Sequence, residues 1–187
     1  MAIRKVSKET SRDKLIRAAE TLMRDSGYAA VTSRQVAAKA GLKPQLVHYY
    51  FKTMDDLFLE VFRELATDRI ERQKAILTSK SPLKELWNLA VDARGVLLNE
   101  FVALANHRKV IKDEIAGYGD QFRRGQIEIM SHILAGKGNG GIAWTPTFAA
   151  FLLNSLARGL AVERGLGMSV GHAEALTTIK HFIDQFE

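Results

Sequence analysis

Apolar residues recur along most of this chain at intervals of three and four positions, the spacing that places them on one face of an α-helix. Leu15, Ile16, Ala19 and Met23 follow this spacing, and residues 57–65 repeat it. The alternation of apolar and polar residues that is typical of β-strands is not sustained anywhere in the sequence. The pattern therefore predicts an all-α protein.

Prolines and capping residues indicate where the predicted helices begin. Pro44, Pro82 and Pro146 are each placed as the first residue of a helix, where the missing N–H would have no intrahelical partner. Thr32 and Thr53 each begin a capping-box pattern. The nine predicted helices are 8–26, 33–40, 44–50, 54–78, 82–100, 103–116, 120–135, 146–165 and 172–186.

The positive charge of the chain is concentrated at its front. Residues 1–54 contain eleven Lys/Arg and four Asp/Glu, a net charge of +7, whereas residues 55–187 contain sixteen and seventeen, a net charge of −1. A basic segment beside a near-neutral body is typical of a domain that binds a polyanion, although a solvated basic face without a partner has the same composition. We therefore predict a boundary between two functional domains, 1–54 and 55–187.

The segment from residue 33 to residue 52 has the pattern of a helix-turn-helix. Small and apolar residues of the helix 33–40 allow a second helix to approach closely, and Gly41 supplies the left-handed backbone that ends the first helix. Pro44 then begins a second helix of about two turns. A helix, a tight glycine turn and a short helix together predict a DNA-binding motif.

The second helix of this motif separates its side chains by face. If Val47 and Phe51 point into a small core, a rotation of about 100° per residue turns Gln45 and Tyr49 to the opposite face. An amide and a phenol on a basic domain suit the base edges and phosphates of a major groove. The residues predicted to contact DNA are Thr32, Ser33, Arg34, Lys43, Pro44, Gln45, His48, Tyr49 and Lys52.

Residues 10–58 resemble the N-terminal DNA-binding domain of the TetR family of transcriptional regulators. The positions that match the family pattern are Thr32, Val36, Ala37, Ala40, Gly41, Val47, Phe51 and Leu57. The chain departs from the pattern at Lys43, Gln45, His48, Tyr50 and Met54, where the family often has Ser, Gly, Tyr, His and Lys. The resemblance implies a homodimeric repressor that binds a partly palindromic DNA operator. It also implies that a small molecule, bound by the helical domain 55–187, releases the repressor from DNA.

The last two predicted helices are apolar on more than one side. Such a helix is enclosed by its own domain and by something else. Helices 146–165 and 172–186 are therefore expected to form a four-helix seam with their copies in a homodimer, and a deeply buried pair in a monomer is the alternative. The residues predicted for the dimer interface are Phe148, Phe151, Leu152, Leu156, Leu176, Ile179, Phe182 and Ile183.

Large apolar and aromatic residues on the middle helices are candidates for the wall of an effector pocket. They are Trp87, Phe101, Tyr118, Phe122 and Met130. An apolar or aromatic ligand is expected. The alternative is a DNA-binding protein whose helical body recruits another protein, which a solid core with an exposed apolar patch would favour.

The sequence contains no motif of an enzyme. It has no cysteine, no HExxH and no GxSxG, and its five histidines include no pair four residues apart, so neither a metal site nor a cofactor is expected. The segment 136–141, GKGNGG, lacks the order of a phosphate-binding loop and is predicted to be a linker. No apolar stretch approaches eighteen residues and the start lacks a signal-peptide pattern, so we expect no membrane span and a cytoplasmic location.

Overall fold

The structure is a computed structural model that describes residues 9–92, 95–135 and 144–186, with residues 95 and 96 described by their backbone alone. Across these residues it contains nine α-helices, a short 3₁₀ helix at Tyr28–Ala30 and no β-strand, which confirms the predicted all-α class. The α-helices are α1 Ser11–Ser26, α2 Ser33–Ala40, α3 Gln45–Tyr50, α4 Met54–Ile76, α5 Pro82–Ala90, α6 Gly95–Ala105, α7 Lys109–Leu134, α8 Pro146–Gly165 and α9 His172–Phe186. The predicted linker 136–141 lies outside the described residues.

Side-chain caps fix the starts of α2 and α4. At α4, Thr53 Oγ1 accepts the Asp56 N–H at 3.1 Å and the Asp56 carboxylate accepts the Thr53 N–H at 2.9 Å, which confirms the predicted capping box. At α2, Thr32 Oγ1 accepts the Gln35 N–H at 3.3 Å. The Gln35 side chain accepts from the Thr32 hydroxyl at 2.9 Å instead of from the Thr32 N–H. Of the two hydrogen bonds of the capping box predicted at Thr32, only the one from the Gln35 N–H therefore forms.

The middle of the chain differs from the prediction. The limits predicted as 82–100, 103–116 and 120–135 are wrong, because α5 and α6 end earlier and α7 is one continuous helix. Gly117 and Gly119 do not interrupt α7, since neither has the left-handed backbone that ends a helix. Buried residues continue the helical spacing on both sides of them, at Ile111, Phe122, Ile129 and Ile133.

Three other predicted helices are shorter than expected at one end. α3 begins at Gln45 instead of residue 44, because Pro44 is at the N-cap position. α1 begins at Ser11 instead of residue 8, because Thr10 and Asp13 form a capping box there. α4 ends at Ile76 instead of residue 78, because the N–H groups of residues 77–79 donate to carbonyls three positions back, as in a turn.

Two glycines of α7 have different surroundings, and substitution of each by alanine should have opposite effects. A Cβ at Gly125 would lie 2.7 Å from Gln73 Oε1, and the buried Gln73 amide donates to the Phe122 carbonyl at 2.9 Å. We expect Gly125→Ala to lower the free energy of unfolding by about 1–3 kcal/mol, because it displaces a buried hydrogen-bonded amide.

Gly117 is the matched control in the same helix. No described atom lies within 4 Å of a Cβ built there, so Gly117→Ala should raise the free energy of unfolding by about 1 kcal/mol through helix propensity. Urea unfolding followed by circular dichroism measures both variants. A stabilising effect of Gly125→Ala would show that Gln73 moves freely and contradict this prediction.

The helices form two compact units. The first consists of residues 1–64 and 100–112, and the second of residues 65–99 and 113–187. These units are defined by packing and differ in extent from the functional domains 1–54 and 55–187, which stay a prediction. Phe101 belongs to the first unit because its ring contacts Phe62, with 5.2 Å between the ring centroids.

The core of the first unit is built from every helix that it contains. Its buried members include Leu15, Ile16, Ala19, Met23, Val36, Ala37, Val47, Phe51, Leu57, Phe62, Phe101 and Ile111. The alanines and the single valine on α2 leave room for α1 and α3 to approach. This small core therefore holds α2 and α3 in place.

The second unit has a separate apolar core. Its buried members include Ile76, Leu83, Leu86, Trp87, Leu89, Phe122, Ile129, Met130, Ile133, Ala150, Leu153, Ala157, Leu160 and Ile183. Thr145 Oγ1 accepts the Phe148 N–H at 3.1 Å and Pro146 follows it, so α8 begins where the sequence predicts.

Candidate nucleic-acid interface

Backbone hydrogen bonds around Gly41 close the turn between α2 and α3. Gly41 has φ 68° and ψ 32°, the left-handed conformation that glycine adopts without steric cost. Its N–H donates to the Ala38 carbonyl at 3.1 Å and the Leu42 N–H donates to the Ala37 carbonyl at 2.9 Å, the paired bonds of a Schellman motif. α3 follows Pro44, whose φ of −55° already matches a helix. This geometry is that of a helix-turn-helix.

α3 buries one side and exposes the other. Val47 and Phe51 are buried in the core of the first unit, whereas Gln45 and Tyr49 are exposed. The Tyr49 ring meets the Tyr50 ring edge to face, with 5.0 Å between the centroids. The outward face of α3 thus presents an amide and an aromatic ring. This is the orientation predicted from burial of Val47 and Phe51.

Arg12 links α1 to the helix-turn-helix and to α4. Its guanidinium lies over the Phe51 ring, 5.5 Å from the centroid, and pairs with the Glu60 carboxylate. The pKa of Glu60 lies below its ordinary value, mainly because its carboxylate accepts a hydrogen bond from Arg12. The Arg63 guanidinium, 3.1 Å from the same carboxylate, lowers this pKa further. Arg12 is therefore occupied inside the unit, where it helps to hold the end of α3.

The cations of the first unit differ in whether a carboxylate pairs with them. Arg12, Arg17 and Arg24 pair with carboxylates of the same unit. Four cations of the helix-turn-helix are exposed and have no carboxylate partner among the residues that the structure describes: Arg34, Lys39, Lys43 and Lys52. Unpaired cations on one motif suit a phosphate backbone.

Lys39 is a candidate that the sequence analysis missed. It lies in the last turn of α2 and is exposed. An exposed lysine on a helix gives no sign in the sequence of what it faces, whereas the structure shows that it belongs to the unpaired group.

The remaining residues predicted to contact DNA differ in exposure and in hydrogen bonding. Pro44 and His48 are exposed, and Ser33 is half-buried. The Thr32 hydroxyl is exposed but makes two hydrogen bonds with Gln35, so it has a structural role in capping α2. The DNA contacts of all these residues stay a prediction.

An apolar cavity lies inside the second unit, between α5, α7, α8 and α9. It has a volume of about 260 Å³ and is partly open. Trp87 and Met130 line it, as predicted for an effector pocket, together with Leu152, Leu153, Leu156, Ile179 and Phe182. Such a cavity is close to the size range of small-molecule sites.

The structure places the other predicted pocket residues elsewhere. Phe101 is buried in the core of the first unit, so its assignment to an effector pocket is corrected: the middle helices are divided between two cores. Tyr118 and Phe122 stack on each other with 5.7 Å between their centroids. They belong to the second unit but are not among the residues that line this cavity.

Most of the predicted dimer residues leave apolar surface uncovered in the single chain. Phe148, Phe151, Leu156 and Phe182 are exposed, and Leu152, Leu176 and Ile179 are half-buried. The Trp144 ring lies 5.6 Å from that of Phe148 and 6.0 Å from that of Phe182, so rings of α8 and α9 share one surface. The prediction is corrected for Ile183, which is buried in the core of its own unit and offers little surface to a partner.

The fold and the exposed face of α3 define the class of this domain as a helix-turn-helix. Residues 15–61 match the family described as bacterial regulatory proteins, tetR family. This match assigns residues 15–61, about a quarter of the chain, to the DNA-binding domain of that family.

Curated relatives are similar over part of their length. The HTH-type transcriptional repressor KstR2 of Mycolicibacterium smegmatis is 30% identical over 114 residues, which are 60% of this chain and 50% of the relative. The HTH-type transcriptional regulator BetI of Rhizobium meliloti is 33% identical over 94 residues, which are 48% of this chain and 46% of the relative. The chain therefore spans about half the length of the curated relatives it matches.

Solved structures show the same fold over nearly the whole chain. A TetR transcription regulator from Haloarcula marismortui has a TM-score of 0.74 and 17% identity, and covers 94% of this chain and 95% of its own. A transcriptional regulator from Saccharomonospora viridis, solved in complex with choline, has a TM-score of 0.75 and 20% identity, and covers 94% of both chains. At this identity the likeness establishes the fold alone.

Two kinds of feature are absent from the part of the chain that the structure describes. None of their helices is both long enough and apolar enough to cross a membrane. No group of three or more of their His, Asp or Glu side chains is placed to hold a metal ion.

Proposed function

We propose that this chain is a sequence-specific DNA-binding transcriptional regulator that acts as a homodimer and represses its target until a small molecule releases it. The observation that carries the proposal is the orientation of α3, with Val47 and Phe51 buried and Gln45 and Tyr49 exposed beside unpaired cations. A helix held in this way can enter a major groove while the cations contact the phosphates. A regulator of this kind works where the chromosome is, which supports a cytoplasmic location.

Dimerisation is supported by the uncovered rings of α8 and α9. Phe148, Phe151 and Phe182 expose apolar surface that a second copy would cover by a two-fold contact. Two helix-turn-helix domains on one dimer can reach half-sites in successive major grooves, about 34–36 Å apart. The partly palindromic operator follows from this symmetry.

Control by a small molecule is supported by the apolar cavity of about 260 Å³. A ligand that prefers one arrangement of the dimer by about 1–3 kcal/mol would change DNA affinity several-fold or more. The cavity favours a ligand sensor over a body that only recruits another protein. The uncovered rings of α8 and α9, the feature that would favour recruitment, are accounted for by the second copy.

Gln45 and Lys52 should affect DNA binding in different ways. Gln45→Ala is expected to relax the preference at one base pair by about 1–3 kcal/mol, because a side-chain amide reads a base edge. Lys52→Ala should weaken all sequences alike and reduce the slope of log affinity against log salt by about 0.9 per dimer half, because it removes one phosphate contact. Binding assays on matched and mismatched duplexes at several salt concentrations measure both effects.

Arg24→Ala is the matched control, because Arg24 is a cation of the same unit that pairs with Glu20 and Asp25. It should leave the salt slope unchanged. A change of base preference in Lys52→Ala with none in Gln45→Ala would reverse the assigned roles.

Selection of bound sites from random duplex DNA tests the proposal as a whole. The expected result is a partly symmetric site whose half-sites are about one helical turn apart, with affinity that falls steeply as salt rises. Recovery of no preferred sequence would contradict a sequence-specific regulator.

A further inference from the structure

A buried polar cluster lies between α4 and α7 in the second unit. Arg69 and Gln73 are four residues apart on α4, and Tyr118, Phe122 and Gln126 follow one another at the same interval on α7, so each set lies on one face of its helix. The Gln73 amide donates to the Phe122 carbonyl at 2.9 Å, and the Arg69 guanidinium lies over the Phe122 ring, 5.4 Å from its centroid. These contacts join the two faces.

The Arg69 guanidinium has little to neutralise it. The residue is only 3% exposed, and one N–H at Nη2 donates to the Leu89 carbonyl at 3.0 Å. Its Nε and Nη1 find no acceptor, and no carboxylate pairs with it, among the residues that the structure describes. The neighbouring guanidinium of Arg72, by contrast, has Asp92 at 2.7 Å and Asp68 at 3.7 Å. A buried cation without a counter-charge destabilises the fold, so an anion bound at this position would stabilise it.

The Gln126 side chain on α7 offers further hydrogen-bond donors. Gln126 is fully buried, and neither atom of its amide group has a hydrogen-bond partner within the described part of the chain. Burial raises the pKa of the Tyr118 phenol, and the charge and hydrogen bonding of Arg69 partly oppose this rise. The phenol therefore keeps its proton at neutral pH. A guanidinium, an amide and a phenol thus lie on the two facing helices.

The side chains of this cluster do not themselves line the apolar cavity, but residues that follow or precede its members on the same helices do. Met130, one helical turn beyond Gln126 on α7, lines the cavity, and so does Trp87, two residues before the Leu89 carbonyl that Arg69 contacts. A polar cluster one helical turn from the wall of an apolar cavity suits a ligand with a charged head and an apolar body.

We propose that the Arg69 cluster binds the carboxylate of a small amphiphilic acid whose apolar part occupies the cavity lined by Trp87 and Met130. The inference rests on the proposed function, because this acid would be the effector. A planar guanidinium forms strong charge-assisted hydrogen bonds with a carboxylate. Arg69 is the only buried Lys or Arg among the described residues, so the site compensates a single negative charge and favours a monocarboxylate over a phosphate dianion.

The test compares three probes with a straight chain of eight carbons, the carboxylate carbon included: octanoate, octan-1-ol and octyltrimethylammonium. Binding to the full chain, without DNA, is measured by calorimetric titration. We expect octanoate to bind at least about tenfold more tightly than octan-1-ol, because it adds charge-assisted hydrogen bonds, and the cation to bind most weakly. Both tryptophans of the chain, Trp87 and Trp144, line the cavity, so octanoate should also change the tryptophan fluorescence.

Arg69→Met keeps an unbranched apolar stem and removes the charged guanidinium. It should abolish the preference for octanoate over octan-1-ol, while Arg72→Met, the control on the same helix, should retain it. Gln126→Leu leaves the charge in place and should reduce the preference about threefold, which provides a second measure if Arg69→Met does not fold. Equal binding of octanoate and octan-1-ol to the unaltered chain, a preference that survives Arg69→Met in a folded protein, or no octanoate binding at millimolar concentration would each overturn the proposal.

The result of the octanoate test does not depend on whether the chain binds DNA as proposed. A chain that selects an operator from random duplexes but does not prefer octanoate remains a regulator and lacks this carboxylate site. A chain that prefers octanoate but selects no DNA sequence has the site and is not the proposed regulator.

Discussion

Phe51→Ala is expected to lower the free energy of unfolding of the first unit by about 3–5 kcal/mol. Phe51 is buried at the end of α3, and its ring also holds the Arg12 guanidinium at 5.5 Å. Removal of the ring leaves a cavity in a small core and takes away the contact that places Arg12. Because whole domains are stable by only about 5–15 kcal/mol, much of the helix-turn-helix should be unfolded at 37 °C and specific DNA binding should be lost.

Tyr49→Ala is the matched control for this prediction. Tyr49 is an aromatic residue of the same helix, but 77% of it is exposed, so its removal should change the free energy of unfolding by less than about 0.5 kcal/mol. It should nevertheless weaken DNA binding, since its ring lies on the outward face. Thermal unfolding and DNA binding of both variants separate a core residue from a contact residue. A Tyr49→Ala variant as unstable as Phe51→Ala would show that the outward face of α3 is covered.

If the chain forms the proposed dimer, Phe151→Glu should convert it to a monomer and lower operator affinity by about a hundredfold or more, since two linked half-site contacts become one. Phe151 exposes 61% of its surface on α8. In a two-fold interface each substitution occurs twice, so the dimer would bury two carboxylates. Each of them costs about 3–5 kcal/mol of dimerisation free energy. The fold of the single chain should persist, because the Arg123 guanidinium already lies 4.9 Å from the centre of the Phe151 ring and would face the new carboxylate.

Val110→Glu on α7 is the control, because this apolar residue is 60% exposed and lies in the first unit, outside the predicted interface. It should leave the dimer intact. Light scattering at micromolar concentration measures the mass of both variants, and circular dichroism confirms that they are folded. A dimer that survives Phe151→Glu would place the interface elsewhere.

Helix ends and faces were largely predictable because they depend on near neighbours in the sequence. The limits of α2, α8 and α9 agree with the structure, since a threonine cap, a proline or a glycine at most of these ends acts through local hydrogen bonds and backbone angles. The two faces of α3 followed in the same way from the helical period. The continuity of α7 did not follow, because Gly117 and Gly119 are compatible with either a helix or a break.

In the candidate sites, the surroundings of several residues could not be predicted from the nearby sequence. Phe101 has the composition expected of a pocket residue, yet it packs against Phe62 in the first unit. Ile183 has the spacing expected of a dimer residue, yet its own core covers it. Arg69 and Gln126 lie on long helices where polar residues usually face solvent, and both are buried. No pattern in the sequence distinguishes these four residues from their neighbours.

The sequence by itself determined the all-helical class, the helix-turn-helix and the outward face of α3, because these depend on capping, glycine conformation and the 3.6-residue period, all of which act over a few residues. Only the tertiary structure decided which helices share a core, which cations stay unpaired and which polar side chains are buried. Those properties depend on contacts between residues tens of positions apart, as between Arg69 and Phe122. Such contacts exist only once the chain has folded.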